Sequence, residues 1–194
     1  MLPESSEYAS QSSYINGGLM CTTASVYWGL SCVCQIVEPM CNQAQMELLM
    51  KTAAQTHSSI VDTRRASKEE TLQQHEVLSS IQKPCSVQAE EMYGYCSHKV
   101  PEMDAFVHSS DLFALLQPGE SLLLTGGGHT TAMFRDRHKD LYTYDSMPAR
   151  VSCVQSAGHL AKELNSSHRN MQQFTATLLR QNACDHQQNT QSKM

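Results

Sequence analysis

The sequence contains no run of basic residues longer than Arg64-Arg65 and has a formal net charge of -5. Without a basic patch it carries no electrostatic footprint for nucleic acid or for an anionic lipid surface, and neither is an expected partner. No apolar stretch approaches the roughly 20 residues that a membrane-spanning helix needs. Paired C-x-x-C spacing is also absent. Cys32-Val33-Cys34 with Cys41 and His57, or Cys96 with His98, therefore do not read as zinc ligands, and no metal is expected. Gly126-Gly127-Gly128 is not followed by the Lys-Ser/Thr of a phosphate loop, which argues against a bound nucleotide, and no cofactor is expected. The opening MLPESSEYAS has neither the basic start nor the apolar run of a secretory signal. Eight cysteines in such a context read as reduced thiols of an intracellular protein rather than as a disulfide framework.

What remains is a chain of 194 residues, 40% apolar, long enough for one domain with a real core. The expected layout is a flexible segment over 1–19, a single domain over 20–180 and a polar tail over 181–194. Asn16-Gly17-Gly18 is a turn signal before the apolar material starts. From Cys21, the residues Val26, Leu30, Val33 and Val37 recur at helical spacing and predict a buried helix ending before Pro39. A second amphipathic helix is predicted over 40–57. A third is predicted over 66–82, with Ser67 and Glu70 as a capping box. Residues 85–108 give little signal. A short helix over DLFALL, capped by Ser110, precedes apolar runs at 121–125, 129–134 and 141–145, which read as strands. VSCVQS reads as a fourth strand, 157–166 as a helix, and FTATLL as a final strand or helix. The expected class is α+β, with N-terminal helices packed on an antiparallel sheet, a plan shared with papain-like thiol hydrolases.

Three residues stand out within that plan. Cys21 falls at a helix N-terminus, where unpaired N–H groups and the helix dipole favour a thiolate. Gly17-Gly18 just before it would let backbone approach a reacting carbonyl closely. Cys32, Cys34 and Cys41 fall within or just beyond the helix, where a small buried thiol is the commoner explanation. His129 opens the strand TTAMF and Asp145 ends the strand LYTYD, so a hairpin closed by RDRHKD brings their two ends together. A loop with an odd number of residues puts both side chains on one face, with His129 opposite Asp145 and paired positions summing to 274. An even loop separates them. Thiol, base and orienting carboxylate would complete a constellation for nucleophilic catalysis. The plainer alternative is a glycine-loop histidine and an aspartate in a turn.

GGLMCTTASVYWGL followed by GGGHTTAMFRDRHKDLYTYDSMP resembles the papain-like ubiquitin-specific peptidase domain of herpesvirus large tegument proteins and its relatives in other large DNA viruses. The likeness covers the Cys21 segment and residues 112–154, and extends loosely to the rest through length and order. It implies a papain-like fold, a deubiquitinating cysteine peptidase, Cys21 as nucleophile, Asp145 as the triad aspartate and Gln11 as support for the oxyanion. It also implies ubiquitin or a similar protein as substrate, other viral structural proteins as partners, and a place in the host cytoplasm or nucleus or in the virion. One departure matters. The family pattern is Asp-x-His with that histidine as general base, whereas this chain reads Asp145-Ser146-Met147, and methionine cannot accept a proton. Either His129 serves as the base, or the chain keeps the fold without the chemistry, as a structural or ubiquitin-binding protein.

Overall fold

The computed structural model describes residues 5–9, 13–14, 20–64, 74–81, 87–95, 109–168 and 173–181. The elements in chain order are β1 (Ser5–Glu7), α1 (Cys21–Val33), α2 (Gln43–Arg64), α3 (Gln74–Ser80), β2 (Val87–Tyr95), α4 (Ser109–Leu115), β3 (Ser121–Gly126), β4 (His129–Arg135), β5 (Leu141–Asp145), β6 (Arg150–Val154), α5 (Ala157–Ser167) and β7 (Gln173–Gln181). The seven strands form one antiparallel sheet in the order β1-β6-β5-β4-β3-β7-β2. The chain is therefore α+β with helices on an antiparallel sheet. Among the described residues, no helix is long and apolar enough to cross a membrane.

Alternation along the strands gives the sheet two buried faces. Leu123, Ala132, Phe134, Tyr142, Tyr144 and Val151 point to one side, where α1 lies with α2 and α3 behind it. Leu122, Leu124, Met133, Leu141 and Ala176 point to the other and pack with Leu160 and Leu164 of α5 and Leu112 of α4. Because α1 is covered by sheet on one side and helices on the other, all its residues but Tyr27 are buried. Its polar side chains are hydrogen-bonded accordingly: Thr22 to Thr130, Thr23 to His57, and Ser25 to the Thr130 carbonyl. Gly29 packs directly against β3. A Cβ there would lie 2.6 Å from Ser121 Oγ and 3.2 Å from Leu123 Cδ2. Gly29→Ala is expected to cost about 1–2 kcal/mol, overpacking outweighing the gain in helix propensity. Thermal unfolding should show the midpoint lowered by about 2–8 °C.

Several expectations change. Ser5–Glu7, within the segment expected to be loose, is an edge strand on β6, and Tyr8 Oη donates to the Cys41 carbonyl at 2.9 Å. The low-signal region contains β2, paired with β7. Helix α2 begins at a reciprocal Asn42–Gln45 capping box and runs to Arg64, beyond the expected 57. Ser67 and Glu70, the expected caps of the third helix, lie outside the described residues, as does the expected polar tail after Gln181, which itself ends β7. FTATLL lies in a strand. Cys21, Cys32, Cys41 and Cys153 are outside any disulfide, but Cys34 is in one, which the expectation of reduced thiols did not include.

Candidate active site

The three glycines before His129 have a backbone explanation. Gly126 pairs directly with His129, leaving Gly127-Gly128 as a two-residue turn with φ of 60° and 78°. Both turn residues are left-handed, the geometry that twists with the strands and that glycine adopts without strain. His129 is thereby the first residue of β4, at an end of the sheet. On the far side of β4, the chain returns through a five-residue loop, Asp136 to Asp140, in which Asp136 Oδ1 accepts the Asp140 N–H at 2.8 Å and Lys139 is left-handed. This loop sets Arg135 against Leu141 and Thr131 against Asp145. Paired positions thus sum to 276 rather than the expected 274. His129 is not opposite Asp145 but two residues further along, on the same face, because an odd loop preserves parity. The diagonal neighbours meet: His129 Nε2 and Asp145 Oδ1 are 2.8 Å apart.

Asp145 is nearly enclosed, its side chain 13% exposed. Oδ1 also accepts the Met147 N–H at 2.9 Å, and Oδ2 accepts the Ser167 hydroxyl. Burial alone would raise its pKa, but the His129 hydrogen bond and charge, with Ser167 and the Met147 N–H, outweigh it and hold the carboxyl below its ordinary value. The ordering is similar at His129. Burial disfavours the imidazolium, yet the hydrogen bond to Asp145, the neighbouring Cys21 thiol and the charges of both push the pKa up to about 9.

Cys21 is the first residue of α1, buried, beside that imidazole. Burial pushes its thiol up; the proximity and charge of the His129 imidazole and the N–H groups of Thr130 and Thr22 bring it below the ordinary thiol value. Asp145 occupies Nε2, so the interaction with sulfur falls to Nδ1, which is buried and has no well-formed partner. A thiol–imidazole contact that is long or bent is ordinary in an unliganded site. Cys32 and Cys41 contrast sharply: burial pushes Cys32 well above and Cys41 above the ordinary thiol value, so neither is activated.

The sequence did not point to the groups around this trio. Ser167, the last residue of α5, and His168, its C-cap, reach Asp145 and the β3–β4 hairpin. Thr22 and Thr130 are joined at 2.9 Å and tie the start of α1 to the start of β4. Gln11 lies outside the described residues. Among the described residues, no three His, Cys, Asp or Glu side chains are grouped to hold a metal ion.

Helices packed in this order against an antiparallel sheet have a counterpart among solved structures. The fold is shared with a viral ubiquitin-specific protease. The crystal structure is that of the protease encoded by a murine cytomegalovirus tegument protein, in complex with a ubiquitin-based suicide substrate. It superimposes with a TM-score of 0.61 over 90% of this chain and 83% of that one, at 13% identity. At that identity the likeness shows the papain-like fold. No protein-family model and no curated protein matches the sequence.

Proposed function

We propose that the protein is a thiol hydrolase that removes ubiquitin or a ubiquitin-like protein from its conjugates. The observation that carries this reading is the 2.8 Å His129–Asp145 hydrogen bond with Cys21, the first residue of α1, beside the same ring. In the proposed mechanism Asp145 fixes the tautomer and orientation of His129, and Cys21 Sγ attacks the scissile carbonyl as a thiolate. His129 then protonates the leaving amine, giving an acyl-enzyme thioester, and afterwards takes a proton from the water that hydrolyses it. Unpaired N–H groups at the start of α1, with Gln11, would hold the oxyanion. Ubiquitin as substrate is supported by the fold likeness to a protease solved with a ubiquitin-based suicide substrate. The proposed setting is the host cytoplasm or nucleus, or the virion, alongside other viral structural proteins. A ubiquitin probe with an electrophilic C-terminus should label Cys21, and Cys21→Ala should abolish labelling. Labelling elsewhere, or none, would sink the proposal.

A second reading, a ubiquitin-binding or structural protein without turnover, is motivated by Met147 in place of the family histidine. Met147 is 53% exposed, and its backbone N–H serves Asp145. With His129 as base, Met147→His should change kcat/KM by less than about threefold, a small fraction of a catalytic barrier. The inert reading instead requires a silent native chain that gains ubiquitin cleavage in Met147→His.

A further inference from the structure

The two residues that end α5 both touch the proposed catalytic pair, although the mechanism above assigns them nothing. Ser167 donates to Asp145 Oδ2. His168, 3% exposed, places Nδ1 3.1 Å from the Gly126 carbonyl and Nε2 2.9 Å from Thr131 Oγ1. Its ring lies against that of His129, with centroids 5.4 Å apart and planes at 44°. A carbonyl can only accept, so Nδ1 carries the proton and Nε2 accepts from the threonine hydroxyl. Gly126 is the residue directly across the hairpin from His129, and Thr131 is its neighbour on the same strand face. We propose that His168 is a positioning residue for His129: it clamps the hairpin on both sides of that residue and backs its ring, so that Nε2 stays on Asp145 while Nδ1 faces Cys21.

The clamp depends on a neutral imidazole, because a protonated Nε2 could not accept from Thr131. Burial, together with the charge of His129, keeps His168 neutral by lowering its pKa to about 4, against the raising effect of the Gly126 bond and of Asp145. The other charged groups nearby, Arg150 of β6 and Glu163 of α5, are paired with each other at 2.9 Å. The gap between α5 and the strands beside Asp145 is only ≈ 10 Å³, so the helix end is packed against the pair with no room for a ligand. Leu160 and Leu164, buried in the core beneath, hold α5 in place.

This inference rests on the proposed thiol–imidazole pair but not on any substrate, so its test uses thiol chemistry alone. Iodoacetamide alkylation of Cys21 in the full chain, followed by mass spectrometry across pH, reads the thiolate that His129 stabilises. The native chain should show a midpoint below the ordinary thiol value. His168→Phe should move the midpoint upward and slow alkylation at pH 7 by about tenfold, the usual scale for losing an outer partner of a working histidine. His168→Gln, with a donor and an acceptor of its own, should recover most of that loss. Thr131→Val removes one bond of the clamp and leaves the ring in place, which keeps the test open if His168→Phe fails to fold; it should slow alkylation by about threefold. An unchanged profile in folded His168→Phe, or in Thr131→Val, would overturn the positioning role. An ordinary midpoint in the native chain would overturn the catalytic pair and the clamp with it.

Discussion

Replacing His129 with alanine is expected to lower turnover of a ubiquitin C-terminal substrate on the order of 10³-fold, within the range for loss of a positioned general base. The pH profile should change shape as well as height. In the native chain the reactive state has Cys21 as thiolate and His129 as imidazolium. It forms as pH rises through the lowered thiol pKa and is lost as pH rises further through about 9, where His129 gives up its proton. With the imidazole gone, burial is left as the larger influence on Cys21, and the thiol returns toward or above its ordinary range. The rate should then climb monotonically with pH instead of passing through a maximum. A bell-shaped profile that survives in His129→Ala would assign the base to another residue. The same shifts give a stability signature. The raised pKa of His129 contributes stability that is full below its ordinary 6.5 and fades as pH rises through about 9. Asp145, whose pKa is lowered, contributes above its ordinary 3.8 and fades as pH falls through its folded value. The contribution of the pair should therefore be greatest between 3.8 and 6.5, read as the difference in melting temperature between native and Asp145→Asn chains across pH.

How much of this was legible in the sequence differs from element to element. Strands β3, β4 and β5 are short apolar runs broken by glycines or charges, and the glycines carry the positive φ that their spacing implies. The start of α1 was legible because the apolar period begins at one residue, Cys21. Parity of the β4–β5 hairpin was legible too, since it depends only on whether the loop count is odd. The register was not. A three- and a five-residue loop both satisfy parity, and the longer one is fixed by the Asp136 carboxylate capping Asp140 and by a left-handed Lys139. Strands β1 and β2 escaped notice because, among the described residues, each is an outer strand of the sheet, paired on one side only. Such strands need no apolar alternation and are commonly charged. Ser167 and His168 gave no signal because their importance comes from where α5 docks, a tertiary fact absent from local pattern. At position 147 the linear Asp-x-His pattern carried no information about the partner of Asp145, because the imidazole that reaches that carboxylate comes from β4.

Trp28→Ala should be the most destabilising single substitution in the contact between α1 and the sheet. Trp28 is fully buried, two helical turns beyond Cys21, and its ring stacks on Tyr144 with centroids 5.4 Å apart and planes at 23°. Tyr144 immediately precedes Asp145, so this stack ties the helix that carries the thiol to the strand that carries the carboxylate. Its indole N–H donates to the Pro39 carbonyl at 3.3 Å, which also fixes the turn leading to α2. Removing the indole leaves a cavity between layers that cannot close, because Tyr144 is itself held by a bond from its hydroxyl to Met50 Sδ at 3.2 Å. The expected loss is about 3–5 kcal/mol, or a fall in melting temperature of about 6–20 °C for a chain of this size. Trp28→Phe keeps a ring against Tyr144 and forfeits the N–H bond and part of the volume, so it should lose about 1–2 kcal/mol. Trp28 is the only tryptophan, so circular dichroism, which needs no indole, is the measurement that treats all three chains alike. In chains still folded at the assay temperature, Cys21 alkylation should slow in Trp28→Ala more than in Trp28→Phe, because the distance between thiol and imidazole depends on how α1 sits on β4 and β5. If Trp28→Ala melts with the native chain and alkylates at the native rate, α1 is held by its other core contacts and by hydrogen bonds such as Thr22–Thr130 and Ser25–Thr130, and the aromatic stack has no part in setting the site.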